Sequence, residues 1–139
     1  MEIIFVVFFS YLITEQIFGR KVAFLTQALI AINPFLHSEA IITHSEMLPV
    51  FFIFIAFYFI TKKQKTIPDF LLIGFFLAIS FWFRYQSAII LIAFLIFLLI
   101  FERKKILKFK QALLTFFPFV LTISPILLFN FITFGKWFN

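Results

Sequence analysis

The polar residues most able to do chemistry lie in one short stretch, which contains both histidines of the chain. It reads His37-Ser38-Glu39, four further residues, and then His44-Ser45-Glu46. The segments on either side are strongly apolar. Ionisable groups within such sequence are costly to keep, which makes them candidates for function. The sequence therefore identifies a set of candidate site residues: His37, Glu39, His44 and Glu46.

The repeated triplet also raises the question of a metal site, because histidine and glutamate are ligands for zinc or manganese. The spacing does not favour it. On a helix, His37 and His44 would lie about 10 Å apart along the axis, and residues two apart point to nearly opposite faces. A divalent metal at His44 and Glu46 would need irregular backbone or a further ligand. A helix cap is another interpretation, because Thr43-His44-Ser45-Glu46 has the capping-box pattern.

A second polar group, Arg84-Tyr85-Gln86, follows a long apolar segment. A guanidinium group binds phosphate oxygens in a bidentate manner, so Arg84 could hold a lipid phosphate with Tyr85 and Gln86 beside it. The alternative is that Arg84 only extends to the lipid headgroups.

Composition indicates an integral membrane protein. Of 139 residues, 64% are hydrophobic and 13% are charged, compared with about 25% charged in soluble domains. Lipid-embedded backbone must satisfy its own hydrogen bonds, which favours helices. We therefore predict an all-α bundle of six transmembrane helices, with spans at about 3–18, 22–36, 47–61, 68–83, 87–101 and 112–134.

The positions of the basic residues predict the orientation. Ten of the twelve follow the first, third and fifth spans, which places those loops in the cytoplasm by the positive-inside rule. The other two are Arg84 and Lys136. The net charge of +6 is thus explained by topology and lipid contact rather than by nucleic-acid binding. We expect a multi-pass protein of a cell membrane, most simply a prokaryotic one.

Segment lengths predict that the polar groups outside the cytoplasm are recessed. The fourth and fifth spans together hold 34 residues, whereas two crossings need about 40. The second and third spans hold 15 residues each and must use residues of the His-Ser-Glu repeat to cross. The two polar groups would then flank one pocket, with Asn130 and Lys136 near its rim. Such a pocket suits an amphiphile with a charged head and a lipid tail.

Helix-start and helix-end signals agree with these spans. The run Thr66-Ile67-Pro68-Asp69 is typical of a helix start, and Gly19 suits the end of the first span. Pro118 and Pro125 should kink the sixth span. Pro49 argues against a straight helix through 38–61, because its ring would clash with the carbonyl of Ser45.

Several runs, in order along nearly the whole chain, resemble one family. They are Phe18-Gly19-Arg20-Lys21-Val22-Ala23, Ala31-Ile32-Asn33-Pro34-Phe35, Thr43-His44-Ser45-Glu46-Met47, Gly74-Phe75-Phe76-Leu77-Ala78, Phe83-Arg84-Tyr85-Gln86 and the segment from Leu128 to Lys136. Together they resemble the dolichyl-phosphate-mannose protein mannosyltransferase-like membrane glycosyltransferases of the GT-C fold.

The resemblance implies a transferase that moves a sugar from a polyprenyl- or dolichyl-phosphate donor to an acceptor hydroxyl outside the cytoplasm. It implies that Arg84 contacts the lipid phosphate and that Glu46 is a supporting acid. The family's catalytic base lies on a large loop after its first span. No such loop occurs here, so we expect a base upstream of Met1 and an internal or truncated piece of a longer enzyme.

Two other classes remain open at the level of sequence. A lipid-carrier transporter or flippase component would also need a recessed phosphate pocket. A non-catalytic membrane subunit would need no ligand.

Overall fold

The computed structural model describes the backbone of residues 2–34, 38, 44–101 and 105–135. Side chains are described for these residues except those at 2, 3, 44–46, 86, 99, 101 and 105–108. The architecture is all-helical, as predicted. The helices are α1 (Glu2–Phe18), α2 (Arg20–Ala31), α3 (His44–Thr61), α4 (Ile67–Phe83), α5 (Ala88–Phe101) and α6 (Lys105–Phe134), with a 3₁₀ turn at Tyr85–Ser87 before α5.

Two helices differ from their predicted spans by five residues or more at one end. The α2 helix ends at Ala31 rather than at residue 36, because Pro34 lacks an N–H and disfavours helical backbone at Asn33. The α6 helix begins at Lys105 rather than at residue 112. Its first turns carry lysines, which extend a helix readily in polar surroundings.

Proline does not end the helices in which it occurs. The α3 helix continues through Pro49 back to His44, so the helix reaches into the second His-Ser-Glu triplet. The α6 helix contains both Pro118 and Pro125. In membrane-type helices, neighbouring side chains can satisfy the backbone groups that proline leaves unpaired.

The helix start predicted at Thr66 is confirmed. The Asp69 carboxylate accepts hydrogen bonds from the backbone N–H and the hydroxyl of Thr66, both at 2.7 Å. It also forms an ion pair of 2.7 Å with Lys62. Gly19 separates α1 from α2 with a φ of 87°, as its helix-ending role requires.

Contacts between helices show alternating directions in the bundle. Pro49 contacts Ser80 while Lys62 contacts Asp69, so α3 and α4 are antiparallel. Trp82 of α4 contacts Thr122 of α6, and Gly74 lies against Thr115, so these two helices are parallel. Two ends follow. The "Arg84 end" is where α3 begins, α4 ends and α6 ends. The "lysine-rich end" holds Lys62, Lys63 and Lys65.

The core lies between α4, α5 and α6, and fully buried Ala56 of α3 also belongs to it. Ile73 and Leu77 of α4 are fully buried at its centre. Many large apolar side chains on the outside of the bundle are exposed, Phe24 and Ile132 among them. An apolar outer surface of this kind suits a lipid environment and would be a liability in water.

One helix meets the length and hydropathy expected of a membrane span within the described residues. It is the Phe109–Phe134 part of α6. Shorter apolar helices occur at Ile4–Phe18, Met47–Thr61, Ile67–Phe83 and Ala88–Leu98. Six crossings therefore remain a prediction.

Candidate functional site at the Arg84 end

The predicted Arg84-Tyr85-Gln86 group forms a tight turn between α4 and α5. Arg84 leaves the helix in an extended conformation, with φ −145° and ψ 111°. Its N–H donates to the carbonyl of Ser80 at 2.9 Å, and its carbonyl accepts from the N–H of Ser87 at 3.0 Å. The Arg84 side chain is exposed. The turn thus fixes the backbone of Arg84 and presents its guanidinium group at this end of the bundle.

A pocket of about 230 Å³ lies next to this turn and brings together two predicted site residues, Tyr85 and Asn130. Its walls come from the end of α4, the turn and α6. The remaining lining residues are Phe81, Trp82, Phe83, Ile126 and Leu127. Aromatic walls with one amide form a small site in which apolar surface lies beside polar groups able to orient a ligand.

Hydrogen bonds to the α6 backbone hold one wall of this pocket in place. Trp82 donates from Nε1 to the carbonyl of Thr122 at 3.1 Å. Pro125 cannot donate to the carbonyl of Leu121, and the Ser124 hydroxyl donates to that oxygen at 3.0 Å instead. Side chains therefore satisfy the backbone near Pro125, which lets α6 continue to Asn130.

A buried chain of hydroxyl groups connects the turn to α3. Ser80 donates to the carbonyl of Pro49 at 3.0 Å, and its Oγ lies 2.7 Å from Oγ of Ser87. Ser80, Ser87 and Pro49 are all buried. Since α3 begins at His44, the second His-Ser-Glu triplet precedes Pro49 by about one helical turn.

The other predicted site residues are placed only in part. The backbones of His44, Glu46 and Gln86 are described, at the start of α3 and in the 3₁₀ turn, but their side chains are not. His37, Glu39 and Lys136 lie outside the described residues. Their contribution to the pocket remains a prediction. Thr43, the predicted cap of α3, also lies outside.

Among the side chains that the structure describes, no group of three or more metal-ligand residues occurs. His44 and Glu46 are outside that set, so the weaker metal interpretation remains a prediction. A larger apolar groove of about 570 Å³ lies between α3 and α5 near Lys65. No predicted site residue whose side chain the structure describes lines it.

The polar residues that organise the site were not identified from sequence. These residues lie in or beside apolar spans, where nothing in the sequence distinguishes them from ordinary packing residues. They are Ser80, Ser87, Trp82 and Thr122. The one available signal was their type, because small hydroxyl residues and tryptophan inside apolar helices commonly form hydrogen bonds between helices.

The fold and site define a class: an all-helical, membrane-type bundle whose Arg84 end combines an exposed guanidinium group with an aromatic pocket. Residues 2–129 match the family model described as dolichyl-phosphate-mannose-protein mannosyltransferase. Because this match covers most of the chain, the chain belongs to that family. Comparison with curated proteins and with solved structures gave no match.

Proposed function

We propose that this chain is part of a membrane glycosyltransferase that uses a polyprenyl-phosphate-linked sugar as donor, and that its Arg84 end binds that donor. The observation that carries the proposal is the family match over residues 2–129. The mannosyltransferase family makes sugar transfer the expected chemistry. We assign the donor to the turn and the pocket at the Arg84 end.

Arg84 is the proposed ligand of the lipid phosphate. It follows the last turn of α4 and is exposed, so its charge can meet a headgroup at the bundle surface. A guanidinium–phosphate pair forms two parallel hydrogen bonds, which fixes the orientation of the phosphate as well as its position. The apolar surface of the bundle can accept the polyprenyl tail.

The pocket beside Arg84 is the proposed place for the sugar. Its volume of about 230 Å³ is below the ~300–1,000 Å³ of pockets for drug-sized ligands, which suits a single sugar ring. Tyr85 and Trp82 offer aromatic faces, and the amide of Asn130 offers both a donor and an acceptor. A sugar ring has apolar C–H faces and polar hydroxyl groups, and these residues can contact both.

The start of α3 is the proposed neighbour of the reacting groups. The chain Pro49–Ser80–Ser87 holds this helix start close to the turn that carries Arg84. Glu46 would act there as a supporting acid.

The proposed membrane orientation places the lysine-rich end in the cytoplasm and the Arg84 end on the opposite side. Lys62, Lys63 and Lys65 lie together at one end of the structure. Basic residues are retained on the cytoplasmic side during insertion. Donor and acceptor would then meet outside the cytoplasm.

The test is binding of a radiolabelled polyprenyl-phosphate-mannose to the purified chain in lipid nanodiscs, with polyprenyl phosphate and the uncharged polyprenol as competitors. We expect polyprenyl phosphate to compete and polyprenol not to. Arg84→Ala should weaken binding about 10- to 100-fold, the range for a hydrogen bond to a charged group.

Arg84→Lys should retain part of the affinity, because lysine keeps the charge and loses the bidentate geometry. Arg20→Ala is the matched control, since Arg20 is an exposed arginine at the other end of the bundle. Equal binding by Arg84→Ala and the unaltered chain would refute the phosphate assignment.

A further inference from the structure

We infer that Ser80 and Ser87 are positioning residues that lock the Arg84 turn to α3, so that the guanidinium group is held in a fixed place for the donor phosphate. The inference rests on the proposed function, because it assigns a role in the binding that Arg84 performs there. Neither serine contacts the proposed ligand in this scheme. Each acts through the turn.

The direction of the hydrogen bonds can be worked out from the proton count. A serine hydroxyl has one proton to donate. Ser80 donates its proton to the carbonyl of Pro49, so the 2.7 Å contact between the two Oγ atoms is donated by Ser87. The result is a single chain from the turn, through Ser80 of α4, to the backbone of α3.

Because the two serines are buried, breaking this series of hydrogen bonds is costly. Ser80 is 0% exposed and Ser87 is 3% exposed, so water cannot replace a lost partner at either hydroxyl. An unsatisfied buried polar group costs more than a typical hydrogen bond contributes. Alternative positions of the turn that separate the two hydroxyls are therefore disfavoured.

The backbone of the turn closes the same unit. Arg84 donates its N–H to the carbonyl of Ser80 and accepts from the N–H of Ser87. The two serines thus bracket Arg84 through the main chain and meet through their side chains. A shift of Ser87 would move the backbone from which the guanidinium group extends.

The position of this series of hydrogen bonds in the bundle explains which two segments it holds together. Its far end is Pro49, close to the start of α3 and to Glu46, while its near end is the turn with Arg84 and Tyr85. Locking these two segments together keeps the proposed phosphate ligand and the proposed supporting acid in one arrangement. A preorganised site loses less entropy when its ligand binds.

The test is a double-mutant cycle between Ser87 and Arg84, measured as binding of polyprenyl phosphate to the chain in nanodiscs. Ser87→Ala alone should weaken binding about three- to tenfold, since a buried hydrogen bond of about 1 kcal/mol corresponds to that range. In the Arg84→Ala background, Ser87→Ala should have no further effect, because nothing remains to be positioned. Ser10→Ala is the control, since Ser10 is buried to a similar degree and, among the described residues, its hydroxyl bonds within its own helix, to Val7.

A second measurement does not depend on the ligand. The natural chain has no cysteine, so a single Tyr85→Cys substitution can carry a nitroxide spin label. Adding Ser87→Ala should raise the mobility of this label, whereas adding Ser10→Ala should not. Ser80→Ala should behave as Ser87→Ala does if it folds, and the Ser87 variants suffice if it does not.

The outcomes separate the two proposals. If Arg84→Ala weakens binding and Ser87→Ala changes neither binding nor label mobility, the positioning role is wrong and the proposed function stands. If Ser87→Ala weakens binding equally in both backgrounds, its effect is general destabilisation and the positioning role is again wrong. If Arg84→Ala has no effect on binding, the phosphate assignment is wrong. The positioning role, which rests on that assignment, is then wrong as well.

Discussion

Gly74 of α4 packs directly against the backbone carbonyl of Thr115 in α6. A Cβ atom at Gly74 would collide with that oxygen and would lie 2.9 Å from Cγ of Pro118. Thr115 is itself fully buried. The two parallel helices therefore approach each other closely at a point where only glycine fits, as small residues commonly permit in membrane helix pairs. This crossing holds the end of α4, and hence Arg84, beside the α6 wall of the pocket.

Gly74→Ala should destabilise the bundle. Alanine gains about 1 kcal/mol of helix propensity over glycine, but overpacking costs about 1–3 kcal/mol, and the colliding atom belongs to the backbone and cannot rotate away. We expect a net loss of stability in detergent unfolding. Pro118→Ala should not rescue it, because it removes the second contact and leaves the first. A Gly74→Ala chain as stable as the natural one would contradict this packing.

The Lys62–Asp69 ion pair and the Thr66 cap should stabilise the connection between α3 and α4. Asp69→Ala removes the partner of Lys62 and two acceptor contacts to Thr66 together. We expect a loss of about 1–3 kcal/mol, the range for a lost helix cap together with a lost hydrogen bond between charged groups, measured by detergent unfolding. Lys63→Ala is the control, since Lys63 is exposed. Equal effects of the two substitutions would show that the Asp69 contacts contribute nothing specific.

Asn130→Ala should separate recognition of the sugar from recognition of the phosphate. Asn130 lines the aromatic pocket, whereas the proposed phosphate ligand is Arg84. We expect binding of polyprenyl-phosphate-mannose to weaken about threefold to tenfold, in line with one neutral hydrogen bond, and binding of plain polyprenyl phosphate to be unchanged. Leu128→Ala on the same helix is the control, since Leu128 is exposed and is not among the residues that line the pocket. If the affinity for both ligands fell equally, the assignment of the sugar to this pocket would be wrong.

The proposed orientation can be measured directly because the chain lacks cysteine. Single substitutions Lys63→Cys and Tyr85→Cys introduce thiols at exposed positions of opposite ends. In intact cells, a membrane-impermeant maleimide should label the second and reach the first only after lysis. Labelling of both positions before lysis would refute the proposed topology.

Local sequence signals predicted much of the helical framework. Thr66, Pro68 and Asp69 marked the start of α4, and Gly19 marked the break after α1, because caps and left-handed residues act within one turn of the chain. The turn at Arg84 was also predicted, since a charged residue interrupts an apolar run there. The early end of α2 was missed, although Pro34 carried the signal.

The helix faces could not be predicted in the same way. Helices such as α4 and α5 are apolar around their whole circumference, as expected where both core and surroundings are apolar. Periodicity then does not distinguish the side of α4 that carries Ser80 from the side that carries Gly74 and Trp82. Only the packed bundle shows which of these residues meets α3 and which meets α6.

The amino-acid sequence by itself determined the all-helical class, most helix boundaries, the separation of lysine clusters from Arg84, and a resemblance to the family that the chain was then shown to belong to. These properties depend on composition and on residues close together in the chain. The tertiary structure alone decided that Tyr85 and Asn130 share a pocket, that Ser80 joins Ser87 to Pro49, and that Gly74 meets Thr115. Those contacts join residues 7 to 45 positions apart in sequence. They form only when the helices pack, and because these helices have no distinctive polar face, the packing depends on side-chain shape and on buried hydrogen bonds.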